Sequence, residues 1–361
     1  GAANTYTGLT TVAAGTLSLN GAFPSIPGNL TVTGGTLINN AGAAQIDNAA
    51  VVTVTGGTWN LNGITEVVDS LTYTGGAVVQ GGGTLNLQNG TTALSMGGTA
   101  LNGPIIIFGG GDIEFIGASG TATIAGTLDL NGNIVTFDIA DGSSTSDMAI
   151  SSVISNGGVT KVGAGILEFN GGAANTYAGT TTVSAGTLNL NAGGTPSVPG
   201  PVVVNGGTLF HSAGSQIATT SPVTVSGGTW NLNGKNETVN SLTYTGGSVV
   251  QSGGLLTLAN AGVALTMRNT SLTGPIALTG AGSTVEFDNT NNGTATINGT
   301  LNLSGNAVTF DIADGTSAAD MVVNSVIFSS PAGGSLTKTG AGTLVLGGAN
   351  TYGGGTTVTA G

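Results

Sequence analysis

The sequence predicts an all-β protein: a right-handed parallel β-helix (β-solenoid) of about 17 coils, arranged as two tandem super-repeats. Three observations predict it. A short phrase, Gly-Thr-Leu-x-Leu with variants, returns at a near-constant interval. Apolar and polar residues alternate with period two inside short runs. Glycine and asparagine break every run, and 67 of the 361 residues are glycine.

The interval comes first. The Thr position of the phrase falls at Thr16, Thr36, Thr58, Thr84, Thr127, Ile166, Thr187, Thr208, Thr229, Leu255, Thr300 and Thr343. Runs of steps of 20–26 residues are followed by steps of 39–45, which are about twice as long. One coil therefore takes about 21–22 residues, and some coils lack the phrase. A longer period lies on top. Gly56-Gly-Thr-Trp-Asn-Leu-Asn-Gly63 returns as Gly227-Gly-Thr-Trp-Asn-Leu-Asn-Gly234, 171 residues on. Phe137-Asp-Ile-Ala-Asp-Gly142 returns as Phe310-Asp-Ile-Ala-Asp-Gly315, 173 residues on, a drift that loop insertions produce. The expected organisation is a first super-repeat over 1–171, a second over 172–346, and the start of a third over 347–361, in one continuous rod. Gly1 falls inside a repeat, as in a processed or truncated segment.

Within a coil, Thr187-Leu-Asn-Leu-Asn191 and Val223-Thr-Val-Ser-Gly-Gly228 put Leu and Val on one face and Thr, Asn and Ser on the other. The abundance of Thr and Val favours strands, and no segment holds a helical period. A β-sandwich also uses short strands, but each has its own place in the core and no reason to repeat its neighbour. A solenoid coil meets only the coils before and after it. Two or three strands per coil with glycine turns make one rung, and parallel crossovers are right-handed.

Composition limits the chemistry. Only 6% of residues are charged, against a usual ~25%, so surface polarity falls to Thr, Ser and Asn. Four basic residues, Lys161, Lys235, Arg268 and Lys338, face sixteen acidic ones and are scattered. Nucleic-acid binding, which scales with the phosphates neutralised, is not expected, nor is binding to anionic membranes. Without cysteine there is neither a disulfide nor a thiolate metal site. No run of apolar residues is long enough for a membrane span, so no membrane insertion is expected of this segment.

One stretch is especially well defined. It runs Leu336-Thr-Lys-Thr-Gly-Ala-Gly-Thr-Leu-Val-Leu346, Gly347-Gly-Ala-Asn-Thr-Tyr352 and Thr356-Thr-Val-Thr-Ala-Gly361. Val159-Thr-Lys-Val-Gly-Ala-Gly-Ile-Leu-Glu-Phe169, Asn175-Thr-Tyr177 and Thr180-Thr-Thr-Val-Ser-Ala-Gly186 form a second copy. The chain opens in a third, Gly1-Ala-Ala-Asn-Thr-Tyr6 with Thr10-Thr-Val-Ala-Ala-Gly15. This stretch resembles the autotransporter-associated β-strand repeat, also called the passenger-associated transport repeat. The resemblance covers about a fifth of the chain directly. It implies a β-helical, secreted or surface-exposed bacterial protein, commonly an adhesin or a very long repeat protein. It leaves the export route open.

Candidate chemistry is sparse. Asp138, Asp141 and Asp147 recur as Asp311, Asp314 and Asp320, and three carboxylates in ten residues invite Ca²⁺. Their spacing is not that of an EF-hand or a calcium β-roll, and aspartate before glycine serves equally in a turn. A glycosidase or lyase needs a paired acid and base, usually with Arg or Lys at hand, and no basic residue stands near these aspartates in the sequence. His211, the only histidine, aligns with Asn39 and reads as a surface or turn position. Trp59 and Trp230 fill the inward Leu slot and read as core. Tyr6, Tyr177 and Tyr352 read as exposed turn residues. Gly109-Gly-Gly111 lacks the lysine and helix of a phosphate loop and reads as a turn. Asn62, Asn191 and Asn233 follow inward strands, where side-chain amides can bond from rung to rung.

The expectation is a structural extracellular or cell-surface fibre segment that is not an enzyme. It associates with itself, end to end or laterally, or continues into a longer repeat protein. No catalytic, cofactor-binding or metal residue is assigned, and no cofactor. The alternative is an adhesin that binds glycans or cell surfaces through outward Thr and Asn rows, with ice as a further ligand for Thr-Val-Thr at 31–33 and 53–55. A polysaccharide-active enzyme is the least favoured reading.

Overall fold

The computed structural model describes residues 4–21, 24–42, 44–117, 119–290 and 293–361. Residues 1–3 of the opening repeat copy lie outside them. The described residues contain no helix, and parallel strands stack into a β-solenoid of about 16 turns. They form two compact units, Gly1–Thr181 with Gly186–Gly194, and Thr182–Ala185 with Thr195–Gly361.

In the first unit three rows of strands stack in parallel. The first row runs through Thr10–Val12 and Leu30–Val32, then the leading half of Val51–Asn60, with Leu30 opposite Val52 and Val32 opposite Val54. The second row joins Thr16–Leu19 to Thr36–Asn39 and then to the trailing half of Val51–Asn60. The third begins with a lone bridge, Ile26 to Ile46. It continues separately as Glu66–Val68, Leu85–Leu87 and Ile105–Ile107. The second unit repeats the plan. Val202–Val204, Val223–Val225 and Leu242–Tyr244 make its first row. Thr208–His211, Thr229–Asn231 and Ser248–Val250 make its second. Its third row also starts from a lone bridge, Val198 to Ile217, and continues with Glu237–Val239 and Leu256–Leu258.

Burial alternates along the strands, with apolar inward positions and mostly polar outward ones. Leu30, Val52 and Leu71 stack as one inward column, and Thr31, Thr53 and Thr72 as its outward neighbour. A buried Leu or Val contributes about 1.5–3 kcal/mol, so repetition builds stability one coil at a time. Between the first and second rows the backbones come too close for side chains. A Cβ at Gly57, whose φ is +62°, would lie 2.2 Å from the Gly35 carbonyl oxygen, and only glycine fits there.

The phrase Gly-Thr-Leu-x-Leu is not tied to one row. It enters row two at Thr36, Thr58, Thr208 and Thr229, but row three at Thr84, Thr127, Leu255 and Thr300. The 26-residue steps are therefore one coil plus a hop to the next face. Rows two and three accept the same pattern: a glycine turn, an outward Thr and an inward Leu.

Candidate functional site

The repeat joint uses its polar residues inward. In Leu336-Thr-Lys338 the period-two phase that buries Leu336 also buries Lys338. Its ammonium donates to the carbonyls of Thr339 and Gly340, each at 2.8 Å, and to Ala360 of the next coil at 3.1 Å. Lys161 occupies the same place in the middle copy and donates to Val162 at 2.5 Å and Gly163 at 2.8 Å. Burial pulls the Lys161 ammonium down to about 8, against the nearby charges of Asp138 and Asp147, which hold it up.

The asparagine of Asn-Thr-Tyr substitutes for a strand. Asn175 Oδ1 accepts the Ile154 N–H at 2.8 Å while the Thr176 N–H donates to the Ile154 carbonyl at 2.9 Å. Asn350 and Thr351 do the same to Ile327. The tyrosine then pairs its hydroxyl with the threonine four residues on, at 2.7 Å for Tyr177–Thr181 and 2.6 Å for Tyr352–Thr356.

The aspartate groups divide in two. Asp147 is buried, its Oδ1 accepting the Gly142 N–H at 2.8 Å and its Oδ2 the Ile166 N–H at 2.7 Å. Asp320 repeats this with Gly315 at 2.9 Å and Thr343 at 2.7 Å. Asp138, Asp141, Asp311 and Asp314 are exposed. Among the described residues no three acidic or histidine side chains converge on a metal-sized space. The sequence expectation that no base stands near the aspartates is corrected, since Lys161 lies within electrostatic reach of Asp138 and Asp147. The spacing of 23 residues hid a contact between successive coils.

A second constellation went unread. His211 is fully buried, not a surface residue as its exchange with Asn39 suggested. The Trp230 Nε1–H donates to His211 Nε2 at 2.9 Å. Indole nitrogen only donates, so Nε2 is the acceptor and the imidazole proton sits on Nδ1. That nitrogen lies 3.2 Å from Glu237 Oε2, close but off the line of a well-aligned hydrogen bond. Asn39 fills the same role in the first unit. Its Oδ1 receives the Trp59 Nε1–H at 3.4 Å and its Nδ2 donates to Glu66 Oε2 at 2.5 Å. Histidine and asparagine exchange because both offer an acceptor on one side and a donor on the other.

The two glutamates close the gap left by the lone bridges. Glu66 accepts the N–H of Gln45 at 3.1 Å and of Ile46 at 3.0 Å. Glu237 accepts those of Gln216 at 2.9 Å and Ile217 at 3.3 Å. A carboxylate thus stands in for the missing strand. Burial outweighs these bonds at Glu66 and pushes its carboxyl up to about 7. The signal for both residues was available in Glu66-Val-Val68 and Leu209-Phe-His211, whose alternation places Glu66 and His211 in phase with the core.

The remaining candidates fall as follows. Trp59 and Trp230 are buried between Leu37 and Val78 and between Leu209 and Val249, as core positions. Tyr6 is 44% exposed, but Tyr177 is fully buried, which corrects the exposed reading for that copy. Gly109-Gly-Gly111 turns between Ile105–Ile107 and Asp112–Phe115. Asn62, Asn191 and Asn233 do bond between coils, to Asn40 at 3.2 Å, Glu168 at 2.7 Å and the His211 carbonyl at 3.2 Å. Outside, Arg268 pairs with Asp288. Hydrogen bonds from Thr290 and then Arg268 hold the Asp288 carboxyl down at about 2.

Comparison with curated proteins and with solved structures returned no match for either. The family description passenger-associated-transport-repeat matches residues 1–19, 159–190 and 336–361; the last two hold the buried lysines and the strand-replacing asparagines, and all three hold a Tyr–Thr pair. The chain is thus a β-solenoid that carries the passenger-associated-transport repeat at three places.

Proposed function

We propose that this chain is a structural segment of a secreted or cell-surface fibre, without catalytic activity, whose coils associate with further coils of the same kind. Repeats of this type on a β-solenoid fit a passenger-like repeat protein. The observation that carries the reading is the direction of the repeat's polar groups. Lys338 bonds to the next coil at Ala360, and Asn350 and Asp320 bond to coils before and after them. These are contacts that any equivalent coil can make, including one in a second copy of the chain. The buried acids Asp147 and Asp320 spend both carboxylate oxygens on backbone N–H groups, a structural use that supports the reading. Negative-stain microscopy of the purified chain at rising concentration tests the reading. Filaments or bundles that lengthen with concentration support it, and only short discrete particles at every concentration argue against it.

One observation favours a second reading, a ligand-binding face. Thr11, Thr31, Thr53, Thr72 and Ser95 stand in register on successive coils of the first unit's outer face, about 4.8 Å apart. A rank of hydroxyls at that pitch suits a regular polar surface such as a glycan. The second Thr column needed for a two-dimensional array is broken, because Thr55 pairs with Gly75. Binding on a glycan array that is lost when Thr31 and Thr53 become valine would favour adhesion over a purely structural role.

A further inference from the structure

The segment 44–50 is held by side chains more than by strand pairing. It has one bridge, Ile26 to Ile46, where the later third-row coils of the first unit have three-residue strands. Its two inward amides, Gln45 and Ile46, end on the carboxyl of Glu66, and the Gln45 side chain reaches back to the Gly21 carbonyl at 2.8 Å. Glu66 is fully buried. The groups that face it are Asn39 from the second row, Gln45 and Ile46 from the preceding coil, and Leu85 in register on the following one. None of these carries a charge. Asp47, two residues beyond Gln45, turns its Oδ1 to the Ala49 N–H at 2.9 Å.

We propose that Glu66 and the segment 44–50 form a proton-dependent latch, closed over the protonated acid and opened more readily as the acid ionises. The argument is one of solvation. A buried carboxylate without a cation is costly, and the donors around Glu66 offset only part of that cost. Lifting the segment would expose the carboxyl to water. The carboxyl titrates near 7 when covered and near its ordinary 4.5 when exposed, so every proton lost above 4.5 favours the open form. The second unit has the same amides on Glu237, but the neighbour there is the His211 imidazole in place of the Asn39 amide. The Glu66 latch is therefore the one governed by a single carboxyl.

The test is amide hydrogen exchange on the intact chain, with rates corrected for the intrinsic effect of pH. Protection at Gln45 and Ile46 is expected to fall about tenfold between about pH 6 and pH 8. Protection at Thr343, whose N–H is held by Asp320, serves as the reference for change elsewhere. In Glu66→Gln the pH dependence at Gln45 and Ile46 should vanish, whatever the substitution does to stability as a whole. Should that variant not fold, the contrast between Ile46 and Thr343 in the unaltered chain decides alone. Flat protection at Ile46 across this range, or an unchanged slope in Glu66→Gln, overturns the latch.

Discussion

Two copies of one crosspiece, Trp59–Asn39–Glu66 and Trp230–His211–Glu237, meet the same demand with different chemistry. In each, an indole N–H points at an acceptor, the acceptor's other side faces a glutamate, and the glutamate holds two backbone amides of a coil that lacks a strand. The fold specifies the order of donors and acceptors and leaves the residue between Trp and Glu open. The difference has a consequence. Asn39 cannot titrate, so the carboxyl of Glu66 is the one ionisable group in its crosspiece.

Removing the shared element should have the largest effect. Glu66→Ala and Glu237→Ala each leave two buried N–H groups without acceptors and open a cavity. We expect a loss of about 3–5 kcal/mol for either, read as the urea midpoint. Unequal losses would show that the two gaps are not equivalent.

The pH response comes next and should separate the copies. The folded pKa of Glu66, about 7, lies above its ordinary 4.5. Its contribution is thus complete below about 4.5, declines as pH rises towards 7, and is gone above that, a span on the order of 3 kcal/mol. Thermal melts followed in 0.5-unit steps, roughly, would detect the decline in the intact chain and its absence in Glu66→Gln.

Exchange of the middle residue sharpens the comparison further. His211→Leu leaves the Trp230 N–H without an acceptor and should cost about 1–3 kcal/mol. His211→Asn keeps an acceptor and a donor and should recover most of that loss, as judged by denaturant melts. At the repeat joint, Lys338→Met leaves carbonyls of Thr339, Gly340 and Ala360 without their donor, and a cost of about 1–2 kcal/mol is expected in the same assay.

Much of the fold could be read from the sequence because a solenoid writes its rules once per coil. Coil length, strand alternation and the inward placing of Trp59 and Trp230 all follow from local pattern. Burial of Lys161, Lys338, Glu66 and His211 followed from the same alternation. Polar identity, however, argued for a surface when phase argued for the core. Phase wins because each group finds its partner there. The lysines find carbonyls one and two residues on, but the partners of Glu66 and His211 lie on other coils, 19–27 residues away in sequence, so those bonds were out of reach. Glu66 has a role only because the coil before it lacks a third-row strand. The row changes at Thr84 and Leu255 were hidden for a related reason, since rows two and three accept the same phrase.

The central claim is that side chains replace strand pairing wherever the ladder is interrupted. Amide hydrogen exchange, compared within one sample, tests it most directly. Gln45, Ile46, Gln216, Ile217 and Ile327 have amides that end on side-chain oxygens. At slightly acidic pH they should be protected to within about an order of magnitude of ladder amides such as Val54 and Val225. Exchange at the rate of exposed loop amides would contradict the account.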